Sequence, residues 1–270
     1  MVPTDMLIAQ LSDLHLCEPG QLYHGVVDSN AMFARAASSL AALRPRPELL
    51  LVSGDLVEDG SRAAYAAARD ALAPLGIPVL AIPGNHDDPR VLRDTFPDQP
   101  YVKPRGHLHL DSEDRWPVRI LGLDVTVPGH HHGEMDRAAR AWLSAALERR
   151  PGHPTILMMH HHPLPCGIGS IDAYACRNGP ELVGILRGHP QVERVLCGHV
   201  HRALHAAFGG TVLTAAPSTA TAIALRLSRD AEGASFVEPP AFLLHLWRHG
   251  APMVTHAVPV GDAPGPYPFF

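Results

Sequence analysis

Residues 79–87, Val-Leu-Ala-Ile-Pro-Gly-Asn-His-Asp, run from a short apolar segment directly into a polar loop. The same arrangement occurs twice earlier, where Leu7–Leu11 leads into Ser-Asp-Leu-His and Leu49–Val52 leads into Ser-Gly-Asp. Helical patterns separate the three apolar segments, one from Asp28 or Ser29 to about Leu43 and one from Ser61 to Leu75. This βαβαβ series predicts a largely parallel sheet with right-handed crossovers.

The remaining chain continues with alternating elements and then becomes rich in strands. The pattern predicts antiparallel strands at 107–111 and 118–125, helices at 136–148 and near 181–186, and strands at 155–159 and 192–197. Later strands are predicted at 204–208, 211–214, 222–227, 242–247 and 253–258. Prolines and glycines exclude regular structure from 261–270, and we expect the two phenylalanines at its end to pack on something.

No linker, repeat or low-complexity tract divides the 270 residues, so one domain spanning 1–270 is the economical interpretation. The fold class is therefore α/β, and we expect a four-layer α-β-β-α sandwich of two mixed sheets flanked by helices. The C-terminal strands are expected to complete the second sheet. Residues 216–270 are expected to provide a cap or an oligomer contact.

Composition limits the partners and the location that we expect. The formal net charge is −5 and no run of lysine or arginine occurs, which argues against a long nucleic acid held along a basic groove. No apolar stretch is long enough to cross a bilayer, and the first residues do not resemble a signal peptide. We therefore expect a cytoplasmic protein without a membrane partner. The four cysteines, which lack CxxC spacing, are expected to be reduced: Cys17, Cys166, Cys176 and Cys197.

Polar residues follow five of the predicted strands. The five loops are Asp-Leu-His at 13–15, Gly-Asp at 54–55, Gly-Asn-His-Asp at 84–87, His-His-His-Pro at 160–163 and Gly-His-Val-His at 198–201. Because the carboxyl ends of parallel strands share one edge, these loops should converge. Carboxylate, amide and imidazole groups are ligands of first-row divalent metals. Seven such ligands exceed what one ion can use, whereas two ions sharing a bridging carboxylate can accommodate them.

The residue spacing adds two expectations about the backbone. In Asp13-x-His15 and His199-x-His201, an extended segment would point both side chains in the same direction. The glycines at 54, 84 and 198 precede predicted ligands, where the backbone must turn sharply or approach another segment closely.

Taken together, the ordered motifs Asp-x-His, Gly-Asp, Gly-Asn-His-Asp, His-His-x-Pro and Gly-His-x-His resemble the calcineurin-like metallophosphoesterases over residues 7–201. Within that family the chain is most similar to bacterial class III cyclic nucleotide phosphodiesterases and glycerophosphodiesterases. The resemblance implies that Asp13, His15, Asp55 and His201 hold a first metal. It implies that Asp55, Asn85, His199 and one histidine of the triplet hold a second, with Asp55 bridging.

The triplet departs from the His-His-Pro-Pro that family members usually carry. An ungapped alignment makes His160 the ligand, and His161 is the alternative if the preceding strand is shifted by one residue. The two ions are expected to be manganese, iron or zinc.

The resemblance implies hydrolysis of small phosphodiesters, either 3′,5′-cyclic nucleotides such as cAMP or glycerophosphodiesters, by attack of a metal-bound hydroxide. His86 and the bridging Asp55 are the expected catalytic residues, with His86 stabilising charge or protonating the leaving oxygen. Asp87 is expected to orient a histidine ligand or to cap the following helix. A solvated loop is favoured over substrate contact for 130–132, and His24 stays undecided between the two roles. A structural role is expected for His205, His245, His249 and His256.

Other functions remain open on the same residues. A phosphomonoesterase or phosphoprotein phosphatase would usually add positively charged phosphate clamps, which these loops lack. A nuclease is disfavoured by the acidic charge, and a non-enzymatic binding module by the complete ligand set. The apolar end Tyr-Pro-Phe-Phe at 267–270 favours a homo-oligomer.

Overall fold

The first sheet begins with the predicted series of parallel strands. The computed structural model describes residues 5–102, 106–228, 230–265 and 267–268. Strands β1 (Asp5–Leu11), β2 (Leu49–Val52) and β3 (Val79–Ala81) are parallel neighbours in that order. The prediction of a parallel βαβαβ unit is therefore confirmed.

Two helices connect these strands and begin where the sequence indicates. Helix α1 (Ser29–Ala42) is capped by Asp28, whose side chain accepts a hydrogen bond from the Ala31 N–H. Helix α2 (Arg62–Leu72) is capped by Ser61 and continues into a 3₁₀ turn, Ala73–Leu75. Each cap pairs a backbone N–H that the first helical turn leaves without a partner.

The chain then crosses to a second, six-stranded sheet. Its strands are β4 (Leu110–Asp111), β5 (Arg119–Leu123), β6 (Thr155–Met159), β7 (Val192–Cys197), β8 (Leu204–Phe208) and β9 (Thr211–Ala215), in the spatial order β4-β5-β6-β7-β9-β8. The outer pairs β4–β5 and β8–β9 are antiparallel, whereas β5, β6, β7 and β9 are parallel. Helices α4 (Arg137–Glu148) and α6 (Gly179–Arg187) connect the central strands.

The sandwich follows from the alternation of side chains along β6. Ile156 and Met158 pack in the core cluster that contains the β1 and β2 residues. Leu157 and Met159 point to the other face and pack with Leu143 of α4 and with residues of α6. Since successive side chains of a strand face opposite ways, one strand contributes to both cores. The expected sandwich of two mixed sheets flanked by helices is confirmed.

The prediction for the last two strands was wrong about their sheet. Strand β12 (Ala241–Arg248) pairs antiparallel with β1, and β13 (Ala251–Pro259) pairs with β12, so both extend the first sheet. In the second sheet the outer position beside β7 is already taken by the β8–β9 hairpin. The late hairpin instead pairs with the edge of β1 in the first sheet.

Local structure also differs from expectation in the less regular segments. Helix α3 (Pro89–Thr95), which follows the Gly-Asn-His-Asp loop, was missed, as was the short helix α5 (Gly169–Asp172). The strand predicted at 222–227 shortens to β10 (Ala222–Ile223), which pairs with β11 (Ser235–Phe236).

The described part of 261–270 has no regular secondary structure, as predicted. Phe269 and Phe270, which were expected to pack on something, lie outside the described residues. Among the described residues, every helix is too short or too polar to traverse a lipid bilayer.

Candidate metal centre

The polar loops of both sheets meet at the carboxyl ends of their strands. Strands β1, β2 and β3 of the first sheet lead into loops carrying Asp13, Asp55 and Asn85, and β6 and β7 of the second lead into His160 and His199. Of the seven predicted ligands, six are buried and Asn85 is partly buried. The two sheets therefore bring together residues that are up to 188 positions apart in the sequence, from 13 to 201.

The backbone of these loops is not extended, contrary to the expectation from the Asp-x-His and His-x-His spacing. Asp13, His15, Asp55, His199 and His201 all have positive φ angles, between 44° and 65°. Residues other than glycine rarely adopt this left-handed conformation, which concentrates at functional sites because surrounding contacts must compensate for its strain. The ligand pairs are aimed by tight turns rather than by strand alternation.

Glycines allow the loops to approach one another, as predicted. A Cβ atom at Gly84 would overlap the Asp55 carboxylate, and one at Gly54 would overlap the His160 ring. At Gly198 it would overlap the Ser12 hydroxyl. Any larger residue at these positions would separate two of the loops that form the centre.

Asp13, His15 and His201 form a first group of candidate ligands, with one ligand atom of each within 4.8 Å of the others. The His15 Nδ1 lies 2.8 Å from Glu58 Oε2, and the His201 Nδ1 lies 2.8 Å from the Thr221 carbonyl. Acceptors at Nδ1 fix the proton there and leave Nε2 with its lone pair, the arrangement usual for a metal-bound histidine. The two Nε2 atoms lie 3.2 Å apart.

A second group contains His160, His161 and His199, again within 4.8 Å. The His160 Nδ1 lies 2.8 Å from the Ser53 carbonyl, and its Nε2 lies 3.2 Å from Asp55 Oδ2. Among the described residues, Asn85 Oδ1, His161 Nδ1 and His199 Nε2 are buried without a hydrogen-bond partner. Buried polar atoms are seldom left unpaired, and a divalent cation would give these three atoms a partner.

Asp55 lies between the two groups, where the bridging ligand was expected. Its Oδ2 is 3.2 Å from His160 Nε2 and 3.8 Å from His15 Nε2, and its Oδ1 accepts the backbone N–H of His86 at 2.9 Å. The geometry favours His160 over His161 as the ligand that shares Asp55, because the His161 Nε2 instead lies 3.1 Å from the His131 carbonyl.

The electrostatics of the centre suit a cation. Burial alone would raise the pKa of Asp55, but the neighbouring His160, His86 and His15 hold it well below the usual value. Burial would lower the pKa of His160, yet the attraction of Asp55 and Asp13 raises it to about 9. For His161 and His199, burial and neighbouring histidines lower the pKa well below 6.5. Metals bind ionised carboxylates and neutral imidazoles, so His160, which the two carboxylates hold in its protonated form, would release its proton when a metal binds.

Glu58 is a residue of the centre that the sequence reasoning missed. Its Oε2 lies 2.8 Å from the His15 Nδ1 and 3.2 Å from the His86 Nδ1, and its carbonyl lies 2.9 Å from the same His86 atom. These contacts outweigh burial and lower the pKa of Glu58 to about 2. One carboxylate therefore orients both a candidate metal ligand and the expected catalytic histidine. The available signal was its position three residues after Asp55 in the same loop.

Asp87 has a different role from either one expected. Its carboxylate accepts the backbone N–H groups of Gly84 at 2.8 Å and of Leu56 at 3.2 Å, and the Tyr65 hydroxyl at 2.8 Å. The cap of α3 is instead Asp88. Asp87 thus ties the loop of Asn85 to the loop of Asp55, because both present backbone donors to the same buried carboxylate.

A cavity of about 330 Å³ opens onto the candidate ligands. Its walls include His86, the undecided His24, Tyr174 and His131. His130 and His131 are exposed, as expected for a solvated loop, whereas the expectation was wrong for His132, which is buried. The His131 Nδ1 also lies 3.4 Å from the Asn85 side-chain nitrogen. No lysine or arginine side chain appears among the described residues that line this cavity.

Two mixed sheets with buried carboxylates and imidazoles at their strand ends define an α/β protein with the ligand set of a divalent-metal centre. The family model of the calcineurin-like phosphoesterases matches residues 6–203. The chain belongs to this calcineurin-like metallophosphoesterase family, whose members use a divalent metal pair, and it is a hydrolase acting on phosphodiesters.

Two curated relatives are similar over most of the chain. A protein of Arcobacter nitrofigilis named "Probable glycerophosphodiester phosphodiesterase GpdQ" is 32% identical over 266 residues, covering 98% of this chain and 97% of the relative. The 3′,5′-cyclic adenosine monophosphate phosphodiesterase CpdA of Escherichia coli K12 is 34% identical over 215 residues, covering 78% and 75%. The crystal structure of a dimetal phosphatase from Danio rerio superposes with a TM-score of 0.66 at 14% identity, covering 95% of this chain and 97% of that one, which shows the shared fold.

Proposed function

We propose that this chain hydrolyses small-molecule phosphodiesters at a pair of divalent metal ions, with glycerophosphodiesters as its substrate class. Asp13, His15, Asp55 and His201 would hold the first ion. Asp55, Asn85, His160 and His199 would hold the second. The two groups of candidate ligands, with Asp55 within 3.8 Å of both, support a binuclear centre.

When bound, such a pair activates a water molecule and clamps the phosphoryl oxygens. The chain's own contribution is the orientation of His86. Its Nδ1 is engaged by the carbonyl and carboxylate of Glu58, so Nε2 is the nitrogen left for the substrate. His86 is then positioned to stabilise negative charge or to give a proton to the leaving oxygen.

The single observation that supports a diester as the substrate is that two cavities meet at Asn85 and His86. The cavity of about 330 Å³ lies on one side, and a second of about 580 Å³ lies on the other. A diester has two organic arms on its phosphorus, and the two cavities offer each arm a place. A monoester would leave one of them empty.

The lining of the larger cavity supports a polar or cationic arm. It includes Asp59 and Asp88, and its only described lysine or arginine, Arg90, is paired with Asp88 at 3.2 Å. Carboxylates attract an ammonium group and accept hydrogen bonds from hydroxyls, but they repel a further phosphate. Glycerophosphoethanolamine carries such groups, and the relative named GpdQ aligns over 98% of this chain.

Cyclic nucleotides are the second candidate substrates, favoured by the similarity to CpdA over 78% of the chain.

Mixed nitrogen and oxygen ligands suit manganese, iron or zinc, and manganese is the ion we would load first.

The test compares substrates on manganese-loaded, chelator-treated and Asn85→Ala protein. Bis(p-nitrophenyl) phosphate, p-nitrophenyl phosphate, cAMP and glycerophosphoethanolamine would each be assayed. We expect metal-dependent diester turnover that Asn85→Ala reduces by at least about 100-fold, since supporting residues alone cost 10–100-fold. A preference for cAMP would replace the glycerophosphodiester assignment. Turnover of the monoester alone would identify a phosphatase instead.

A further inference from the structure

A separate group of metal-binding side chains lies beside the candidate centre, on the loop that follows β6. His162, Cys166 and Asp172 each offer one ligand atom within 4.8 Å of the others. The His162 Nε2 lies 3.2 Å from Asp172 Oδ1.

The loop holds the three side chains in place without any ion. The Asp172 carboxylate accepts the backbone N–H groups of Cys166 at 2.7 Å and of Gly167 at 3.0 Å. The His162 carbonyl accepts the Cys176 N–H at 3.0 Å, which anchors the start of the loop to its continuation. Ligands held in position before binding lose little conformational freedom when a metal arrives.

The donor set is one that zinc prefers. Thiolate, imidazole and carboxylate are its three common protein ligands, and three of them leave a fourth tetrahedral position for water. A Cys166 thiolate and the Asp172 carboxylate together would neutralise the charge of a divalent ion. His162 is fully buried, whereas Cys166 and Asp172 are partly exposed, so an ion and its water could enter from the solvent side.

The Cys166 thiol is protonated when no cation is present. Burial and the neighbouring Asp172 carboxylate raise the pKa of the Cys166 thiol to about 12. Zinc would release that proton on binding, as thiolate ligation generally does.

The loop also forms part of the wall of the substrate cavity. Ile171, inside α5, and Tyr174, just after it, both line the cavity of about 330 Å³. The His162 ring stacks on the His199 ring at a centroid distance of 5.6 Å. An ion at this position would therefore clamp a wall of the cavity without being one of the two catalytic ions.

We propose that His162, Cys166 and Asp172 form a third metal site, selective for zinc, which fixes the loop 163–172 against the substrate cavity. The proposal does not depend on the substrate or on the binuclear mechanism.

Alkylation of Cys166 tests the site directly. Manganese-loaded full-length protein is treated with iodoacetamide, with and without zinc, and the labelled cysteines are identified by mass spectrometry. Cys17, Cys176 and Cys197 are buried, so they report on unfolding. At a free zinc concentration ten times the dissociation constant, we expect the labelling of Cys166 to slow by about tenfold, because the free fraction falls by that factor. Magnesium, which disfavours thiolate ligands, should not protect.

Two variants and a matched control separate this site from the binuclear centre. His162→Gln should abolish zinc protection while Cys166 remains reactive. Cys166→Ser should remove one equivalent of bound zinc and the thiolate-to-cobalt charge-transfer absorption of cobalt-substituted protein. Cys176→Ser, which changes a buried cysteine outside the group, should retain both. Absence of protection in the unaltered protein would overturn the proposal, as would protection that persists in His162→Gln.

Discussion

The chain contains two histidine triplets, 130–132 and 160–162, that are identical in sequence and different in environment. His160, His161 and His162 are all fully buried. In the other triplet His130 and His131 are exposed and His132 is buried, and we call it the exposed triplet after its first two members. The buried triplet follows β6, a central strand of the second sheet with parallel neighbours on both sides. The exposed triplet belongs to the loop between β5 and α4. Position at the end of a central strand, rather than residue type, therefore decides which histidines face the carboxylates.

The exposed triplet is nevertheless not independent of the centre. The His131 carbonyl lies 3.1 Å from the His161 Nε2, and its ring centroid lies 5.9 Å from that of His86. The two triplets thus meet. The buried one offers ring nitrogens to a metal, and His131 of the exposed one lines the cavity. Substitutions in the buried triplet should affect metal binding, and substitutions in the exposed triplet should affect substrate binding.

The largest effect is expected from His160→Ala. Because His160 faces both Asp55 and Asp13, its loss should remove one metal equivalent and reduce diester turnover by at least about 100-fold. Metal analysis and turnover with bis(p-nitrophenyl) phosphate measure both quantities. His130→Ala is the control and should change neither. If His161→Ala had the larger effect on metal content, His161 would be the ligand.

Glu58→Gln should have the next largest effect. Glu58 fixes the tautomers of two histidines of the centre, His15 and His86, whereas exposed histidines need no such partner. The neutral amide would hold His15 and His86 less firmly, and we expect a loss of about 10–100-fold in turnover or metal affinity. A metal titration followed by steady-state kinetics checks this, with the exposed Glu148→Gln as the matched control. Turnover and metal affinity equal to those of the unaltered protein would show that Glu58 is dispensable.

His245 extends the comparison to a buried histidine outside both triplets. It contacts Gln10 and Thr255, and burial lowers its pKa to about 3. Between pH 6.5 and 3 the unfolded chain binds a proton that the folded state does not, so stability falls as the pH decreases. One such group contributes a slope of up to about 1.4 kcal/mol per pH unit.

Urea denaturation between pH 7 and pH 4.5 measures that slope. His245→Gln should make the loss of stability shallower, and the exposed His256→Gln should leave it unchanged. An equal slope in the two variants would remove His245 as a source of the pH dependence.

The smallest effect is expected from His131→Ala, on the exposed side of the comparison. Since His131 lines the cavity and contacts Asn85 only through a long 3.4 Å approach, we expect KM to rise several-fold, by about 1 kcal/mol, with kcat nearly unchanged. Kinetics with glycerophosphoethanolamine test this. A fall in kcat as large as that of His160→Ala would place His131 in the chemistry.

Several structural elements could be predicted because their signals are local. β2 and β6 have the predicted bounds, since each is a short, mainly apolar segment enclosed by polar or turn residues. Asp28, one of the two starts predicted for the first helix, caps it, and Ser61, the predicted start of the second helix, is its N-cap. Such starts are local signals because an N-cap depends only on the next three residues. The glycines at 54, 84 and 198 indicated close approach before any partner was known.

Other features depended on contacts between distant segments. The sheet joined by β12 and β13 was predicted wrongly because strand pairing depends on which edge remains free. The left-handed conformation of Asp13 and His201 was missed because the opposing loops impose it. Glu58 gave no periodic signal, and its role appears only when His15 and His86 fold over it.

The sequence by itself determined the α/β class, the strand-end positions of the seven candidate ligands and the family resemblance, because strand periodicity and motif order are properties of the chain alone. Tertiary structure decided that Asp55 lies between two ligand groups and that His160 faces it. It also decided that one histidine triplet is fully buried while the other is mostly exposed and lines the cavity through His131. The physical reason is that ligand geometry arises where the carboxyl ends of two sheets meet. Asp55 and His160, for example, are 105 positions apart in the sequence, from 55 to 160, and only the packing of both sheets brings them to 3.2 Å.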